Sequence, residues 1–299
     1  MTALVILNPY AASGRAQAIF NSIEPTLKAS LQDDLHLIVT ESPDSVAQHV
    51  THAYQSGIRR VISIGGDGTN HSLVNALASL PNVDDPMVYS SIPVGTGRDW
   101  SRGLGTPLNA AQASHALAAK APRQIDLGHA LIDGKYEEYF LNSASMGLGG
   151  RVVEKVNSLQ TRHPWSFLWS AVTSILSYAP QSVQITVDGK AWYGGTAFLV
   201  AVMNGNTFGR GMQIAPNAKV DDGLLEVVLV RGVSRLEILS ALWQVYAATH
   251  LTHPAVLYCQ AHEVRIQSTA KMPFELDGEY MSGNDVTLRV KDGALSLLG

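Results

Sequence analysis

The chain of 299 residues holds one cysteine, Cys259. A lone thiol excludes an intramolecular disulfide and fits a reducing compartment. Charge is scarce too: 15% of residues are charged and the formal net charge is −4. With no basic excess, no nucleic-acid partner is expected. No window reaches the roughly 18 uninterrupted apolar residues of a membrane span. The most apolar segment, Trp192 to Met203, is broken by Gly194, Gly195 and Thr196. Membrane contact, if any, must be peripheral. The opening MTALVILNPY lacks a basic region followed by a long apolar stretch, which predicts no signal peptide and a cytoplasmic protein. A G-x-x-x-x-G-K-[ST] loop is missing, so P-loop chemistry is excluded. No G-x-G-x-x-G follows the first strand, which weakens a dinucleotide fold.

What is present suits a folded protein of two domains: 46% of residues are apolar, and the length exceeds what one core usually serves. Up to about residue 120, strand and helix patterns alternate. Strands are expected at Leu4 to Leu7, Leu35 to Val39, Val61 to Ile64 and Met87 to Ile92. Helices are expected at Arg15 to Leu31, Ser45 to Tyr54, from near Thr69, and at Leu108 to Ala119. This alternation implies a parallel sheet covered on both faces. From about Gln124, short apolar runs are separated by Asp-Gly pairs at Asp133, Asp188, Asp277 and Asp292, which are hairpin signals. Two helices interrupt this region, Trp165 to Tyr178 and Ser234 to Thr249. The expected fold is therefore a parallel α/β domain over residues 1–124, followed by a mainly antiparallel β domain over 125–299.

The stretch VISIGGDGTN places Gly65, Gly66, Asp67, Gly68, Thr69 and Asn70 between a strand and a helix. In an open parallel sheet, ligands bind beyond the carboxyl ends of the strands. Glycines let backbone approach a ligand, and a helix start offers free N–H groups to an anion. An aspartate beside a phosphate repels it unless a cation or water intervenes, so Asp67 points to metal-bound phosphate, as in a nucleoside triphosphate with Mg²⁺. A tight turn with Asp67 as a cap is the plainer alternative, and Asp-Gly alone says little because six such pairs occur.

Two further loops follow strands. NPYAASGRA carries Asn8, Ser13 and Gly14, which can bond phosphate oxygens; taken alone it reads better as a helix start capped by Ser13. IPVGTGRDWSRGLG carries Gly95, Thr96, Gly97, Arg98 and Asp99. Three such loops after three parallel strands would converge on one sheet edge.

Together with ELDGEY and PNAKVDDGLLEVVLV, these motifs resemble, in order and spacing, the diacylglycerol kinase catalytic family, which includes bacterial lipid kinases and, more distantly, sphingosine kinases. The resemblance spans nearly the whole chain, although GGDG itself is shared with NAD kinases and phosphofructokinases. It implies an α/β nucleotide-binding domain, a β-sandwich domain and an active site in the cleft between them. It further implies that Gly65 to Asn70 hold ATP phosphates, that Thr40 and Thr96 contact nucleotide, and that Asp67 and Asp99 organise Mg²⁺. Glu279 of LDGEY matches the family's proposed catalytic base; apart from the resemblance it reads as the neighbour of a hairpin turn. Asp222 by side chain, with Lys219 and Leu224 by carbonyl, match a structural or regulatory metal site. Asp126 of IDLG falls where the family keeps an aspartate near the cleft.

The implied activity is an ATP- and Mg²⁺-dependent lipid kinase working at a membrane surface. Diacylglycerol is the default acceptor, phosphatidylglycerol or a sphingoid base are others, and a homodimer is left open. Two positions depart from the pattern. His71 stands near where the family usually keeps a glutamate, and Arg98 replaces an asparagine before Asp99. An arginine there can bind phosphate directly. The same departures admit another reading, a nucleotide- or lipid-binding regulator that has lost catalysis; a kinase for a soluble acceptor such as NAD is a third. The apolar face of Trp165 to Tyr178 is expected in the core rather than on a membrane. The pairs His49/His52 and His250/His253 are expected on solvated helix faces or ends, and Cys259 is expected to be buried and inert.

Overall fold

The computed structural model describes residues 2–81, 86–95, 97–119, 121–159 and 166–299. It divides into two compact units: residues 1–126 with 292–299, and residues 127–291.

The first unit opens with β1 (Thr2–Leu7), the short α1 (Ala11–Gly14), which turns left-handed at Ala12 and Ser13, then α2 (Ala16–Leu31), β2 (Asp34–Val39), α3 (Pro43–Gln55), β3 (Arg60–Gly65), α4 (Asp67–Ala78) and β4 (Val88–Pro93). After β4 come α5 (Asp99–Gly103) and α6 (Ala110–Ala116), the latter capped by the Asn109 side chain, which accepts from the amides of Ala111 and Gln112. β1, β3 and β4 are each buried at five of six positions, as strands covered on both faces must be. The edge strand β2 has no fully buried residue. β2, β1, β3 and β4 pair in parallel in that order. Phe20, Ile23, Leu27 and Leu31 recur at helical spacing on α2 and join Val5, Leu7, Ile62, Ile64 and Ile92 in one core. Each such side chain contributes roughly 1.5–3 kcal/mol by leaving water.

The second unit contains most of β5 (Arg123–Ile132), β6 (Tyr136–Phe140), β7 (Ser143–Gly147), α7 (Leu148–Asn157), α8 (Ser166–Ser177), β8 (Gln181–Val187), β9 (Lys190–Met203), β10 (Leu225–Arg231), α9 (Arg235–Tyr246), β11 (Val256–Ala261), β12 (Glu263–Leu276) and most of β13 (Glu279–Leu297). Its strand pairs are antiparallel. The long strands β9 and β12 both pair with β8 toward one end and with β7 toward the other, so the sheet wraps around a core that includes Phe140, Met146, Val200, Phe274 and Leu276.

Several sequence expectations are corrected. Among the described residues, three α-helices, not two, interrupt the β region. α7 is hidden in the sequence by Gly149 and Gly150, which are there because the helix lies hard against its neighbours. A Cβ on Gly150 would sit 2.4 Å from Phe274 Cα, and one on Gly149 would sit 2.0 Å from Ser145 Oγ. Asp133, Asp188 and Asp277 do open hairpin turns, but Asp292-Gly293 lies inside β13. There Gly293 takes φ +56°, and its amide donates to Asp126 Oδ1 at 2.8 Å. Beyond it the chain returns to the first unit: Ser296 and Leu297 pair in parallel with Val88 and Tyr89 of β4. The helix expected from about Trp165 is described over Ser166–Ser177 as α8, and Trp165 lies outside the described residues. Its apolar face is not all core, since Trp169 is 67% exposed and Leu176 50%. His250 is buried rather than solvated, with Nε2 2.9 Å from the Ile214 carbonyl oxygen. Cys259 is half-buried, and burial raises its thiol pKa to about 11, which keeps it a poor nucleophile.

Candidate functional site

The loops after β1, β3 and β4 meet at the carboxyl ends of their strands. The amide of Asn8 donates to the Ile64 carbonyl at 3.1 Å, and its Nδ2 donates to Thr69 Oγ1 at 3.1 Å. The amides of Val94 and Gly95 both donate to the Gly65 carbonyl, at 3.1 and 3.2 Å. The contacts are too close for side chains. A Cβ on Gly95 would lie 2.6 Å from Gly66 Cα, and a Cβ on Gly65 would run into the Thr69 side chain at 2.4 Å. A Cβ on Gly97 would lie 2.2 Å from Asp67 Oδ2. Asn8, Gly65, Gly66, Asp67, Thr69, Gly95 and Gly97 thus form one contiguous set. α4 begins at Asp67 with Gly66 at its N-cap, which has no side chain to offer as a cap, and a helix start of this kind suits a bound anion. Gly68 lies in that first turn; its carbonyl accepts from Ser72 Oγ at 3.1 Å.

Other members of the expected set have structural commitments. Asn70 is buried beneath the turn, and its Oδ1 accepts from Ser63 Oγ at 2.6 Å and Ser91 Oγ at 3.2 Å, tying α4 to β3 and β4. Thr40 donates amide and hydroxyl to the Leu7 carbonyl at 2.9 and 3.2 Å, closing the end of β1. Arg98 adopts φ +60°, and its guanidinium donates to the carbonyls of Gly95 at 2.7 Å and Leu108 at 3.0 Å, so it braces its own loop. Asp99 is buried, and its Oδ1 accepts from Arg102 at 3.2 Å; Arg102 also donates to the Gly97 carbonyl. Arg102 was missed in the sequence, although its i, i+3 spacing from Asp99 was a signal. Ser13 is exposed with φ +58°, beside Ala12 at +53° and Gly14 at +83°, and is not a helix cap. Left-handed geometry costs a non-glycine residue roughly 1–2 kcal/mol, so this loop is held in shape. Thr96 lies outside the described residues. His71 is buried on α4, its Nε2 3.5 Å from Asn75 Nδ2.

In the second unit, Glu279 is the exposed first residue of β13, just after the Asp277-Gly278 turn. Asp277 fixes the turn: Oδ2 accepts from the Leu141 amide at 2.7 Å, and Oδ1 from those of Asn142 and Ser143 at 2.9 and 3.0 Å. Beneath it, fully buried Glu275 accepts from Ser145 Oγ at 2.6 Å and from the Gly278 amide at 2.7 Å. Lys219, Asp222 and Leu224 share one surface turn, in which Asp222 Oδ1 accepts the Leu224 amide at 3.1 Å. Among the described residues no group of three or more His, Cys, Asp or Glu converges to hold a metal. A cavity of about 120 Å³ lies in the same unit, lined by Leu148, Phe198, Met212, Ile238, Leu242 and Val245, with Glu237, His250 and His253 as polar members. His253 Nε2 is 3.9 Å from Glu237 Oε1.

The comparisons agree with this architecture. Residues 2–130 match the diacylglycerol kinase catalytic domain, and residues 142–299 match the YegS C-terminal NAD kinase beta sandwich-like domain. The protein named Probable lipid kinase YegS-like from Chromohalobacter salexigens is 31% identical over 82% of this chain and 77% of its own. The diacylglycerol kinase of Bacillus subtilis is 28% identical over 78% of this chain and 77% of its own. A solved diacylglycerol kinase structure from Bacillus anthracis shares the fold, with a TM-score of 0.73 and 23% identity over 99% of this chain and 96% of that one. An NAD kinase from Archaeoglobus fulgidus, solved with ATP, shares it more loosely, with a TM-score of 0.52 and 11% identity over 100% of this chain and 94% of that one. Fold and motifs together define a lipid kinase. The chain belongs to the diacylglycerol kinase family, alongside the YegS-like lipid kinases.

Proposed function

We propose that this lipid kinase transfers the γ-phosphate of ATP to a hydroxyl of a membrane lipid, with diacylglycerol as the default acceptor. The observation that carries the reading is the bare backbone cradle: Gly65 and Gly95 in contacts that leave no room for a Cβ, with Gly66 facing Gly95 at the start of α4. Such a cradle fits a polyphosphate, which bonds amide donors and needs close approach. The ATP in the related NAD kinase fold supports a nucleotide as donor. Asp67 and Asp99 suit a hard cation that keeps most of its water and takes its other oxygens from phosphate. Magnesium, when bound with the nucleotide, neutralises charge on the transferring group. Asp222, with the carbonyls of Lys219 and Leu224, is proposed as a separate structural metal site.

In this mechanism the Glu279 carboxylate takes the proton of the acceptor hydroxyl as that oxygen bonds the γ-phosphorus. The bond from γ-phosphorus to the bridging oxygen breaks, and ADP leaves. The glycine turns hold the phosphates in line, which is most of the catalysis such a reaction needs. The apolar cavity of the second unit suits part of an acyl chain. Exposed Leu168, Trp169 and Leu176 on α8, and Leu236, Trp243 and Tyr246 on α9, suit contact with a bilayer surface. No specific observation favours an inactive regulator, because Arg98 serves its own loop and His71 is packed within α4.

The test is transfer of radiolabelled phosphate from ATP to a panel holding diacylglycerol, phosphatidylglycerol and sphingosine, with NAD as the soluble control. The expected result is one labelled lipid and a loss of about 10²–10⁴-fold in Glu279→Gln, the usual worth of a general base. ATP binding with no labelled lipid, or labelled NAD instead, would overturn the reading.

A further inference from the structure

Three hairpin turns in the second unit begin Asp-Gly with positive φ at both residues: Asp133-Gly134 at 51° and 64°, Asp188-Gly189 at 47° and 74°, Asp277-Gly278 at 50° and 91°. This sequence and geometry make a hairpin turn on their own. In all three the aspartate also accepts amides of a neighbouring segment. Asp133 takes those of Asn284 and Asp285, Asp188 those of His262 and Glu263, and Asp277 those of Leu141, Asn142 and Ser143. That device is shared, so it explains the turns and nothing particular to the one beside Glu279.

The difference lies two residues before the aspartate. The first two turns have Leu131 and Thr186 there, whereas the third has Glu275, which is 0% exposed. Its carboxylate spans from Ser145 Oγ at 2.6 Å to the Gly278 amide at 2.7 Å. A buried carboxylate is costly, and an apolar residue of similar size often stabilises as well or better. Since the sibling turns form without it, turn formation does not account for that cost. The bond to Gly278 falls on the residue immediately before Glu279.

We infer that Glu275 is a positioning residue: by holding the Gly278 amide it sets where the Glu279 carboxylate stands relative to the acceptor hydroxyl. This rests on the reading of Glu279 as the general base. It predicts dependence on a side chain of glutamate length that can accept from Gly278. Glutamine retains this, because its carbonyl accepts the amide while its NH₂ donates to Ser145. Methionine fills the space without an acceptor. Aspartate keeps the charge but is one methylene too short to span both donors.

The experiment measures kcat, KM for ATP and thermal midpoint for Glu275→Gln, Glu275→Met, Glu275→Asp and Glu279→Gln on the acceptor found in the lipid panel. Glu275→Gln should keep at least about half of kcat. Glu275→Met and Glu275→Asp should lose about 10- to 100-fold in kcat with KM for ATP within about twofold, the loss expected from sub-ångström to ångström misplacement. Methionine is tolerated in apolar interiors, so it serves if the aspartate variant does not fold. Wild-type kcat in Glu275→Met with only a lowered midpoint would make Glu275 purely structural and overturn the inference. A glutamine variant as slow as the methionine one would overturn it too, because charge and not reach would then matter. If Glu279→Gln keeps full turnover, the base assignment fails and this inference with it. If Glu279→Gln is inactive and Glu275→Met is normal, only the inference fails.

Discussion

At the scale of the residue, Gly95 and Gly97 illustrate how one motif carries two different demands. Gly95 faces the Gly66 backbone, where a methyl group at 2.6 Å has nothing soft to displace. Gly97 faces the Asp67 carboxylate, the mobile end of a side chain. Gly95→Ala should therefore cost about 1–3 kcal/mol of stability as an overpacked site. Gly97→Ala should leave the thermal midpoint nearly unchanged but push Asp67 aside; on the proposed role of Asp67 toward Mg²⁺, the Mg²⁺ concentration for half-maximal activity should then rise several-fold. Denaturation curves and a Mg²⁺ titration of turnover check the pair. The glycines themselves were legible in the sequence, because strand, turn and helix are local patterns. Their partners were not: Asp67 and Gly97 are thirty positions apart, and only folding sets them in contact. The place of Asn70 in the motif groups it with the phosphate loop, yet its side chain faces Ser63 and Ser91. The motif does not disclose which way a side chain turns.

At the scale of the element, α8 and α9 set what an apolar helix pattern can reveal. Both were recognisable from their periodicity, but the period does not say whether the apolar face meets a core or is left bare. Ile175 is buried, while Trp169 on the same helix and Trp243 on α9 are about two-thirds exposed, at 67% and 65%. If these residues meet a bilayer, Trp169→Gln with Trp243→Gln should reduce sedimentation with phosphatidylglycerol vesicles several-fold. Stability should stay within about 0.5 kcal/mol, because exposed side chains add little to the fold. Unchanged sedimentation would assign the patch to something other than membrane contact. α7 is the helix least visible in the sequence, since glycines are weak helix formers; they are present because Phe274 of β12 leaves no room for a Cβ on Gly150 and Ser145 of β7 leaves none on Gly149.

At the scale of the whole molecule, two buried histidines govern an acid-side loss of stability. Burial lowers the His250 and His129 pKa values from 6.5, and for His129 it outweighs the opposing pull of Glu137 at 3.4 Å. Both are thus neutral in the folded state, whereas the unfolded chain takes up protons near pH 6.5. Below that value the unfolded state binds more protons, so stability falls as pH falls and is fully retained above it. The thermal midpoint should be flat above about pH 7.5 and decline below about 6.5. His250→Gln, which can still donate to the Ile214 carbonyl, should decline less steeply. A midpoint equally steep in that variant would move the effect elsewhere.

The order of strands and helices in the first unit, the antiparallel character of the second and the motifs of a diacylglycerol kinase relative were all determined by the sequence alone. Each depends on periodicity, turn chemistry or spacing along a few adjacent residues. Tertiary structure alone decided that residues 292–299 return to pair with β4, that Arg98 spends its charge on backbone carbonyls, and that Glu275 reaches the turn before Glu279. The strand pairing joins segments far apart in the chain, whereas the Arg98 and Glu275 bonds span only 3 to 10 positions, and there the fold selects one partner among the polar groups in reach. A polar side chain's partner is set by whichever group folding brings within about 3 Å of it.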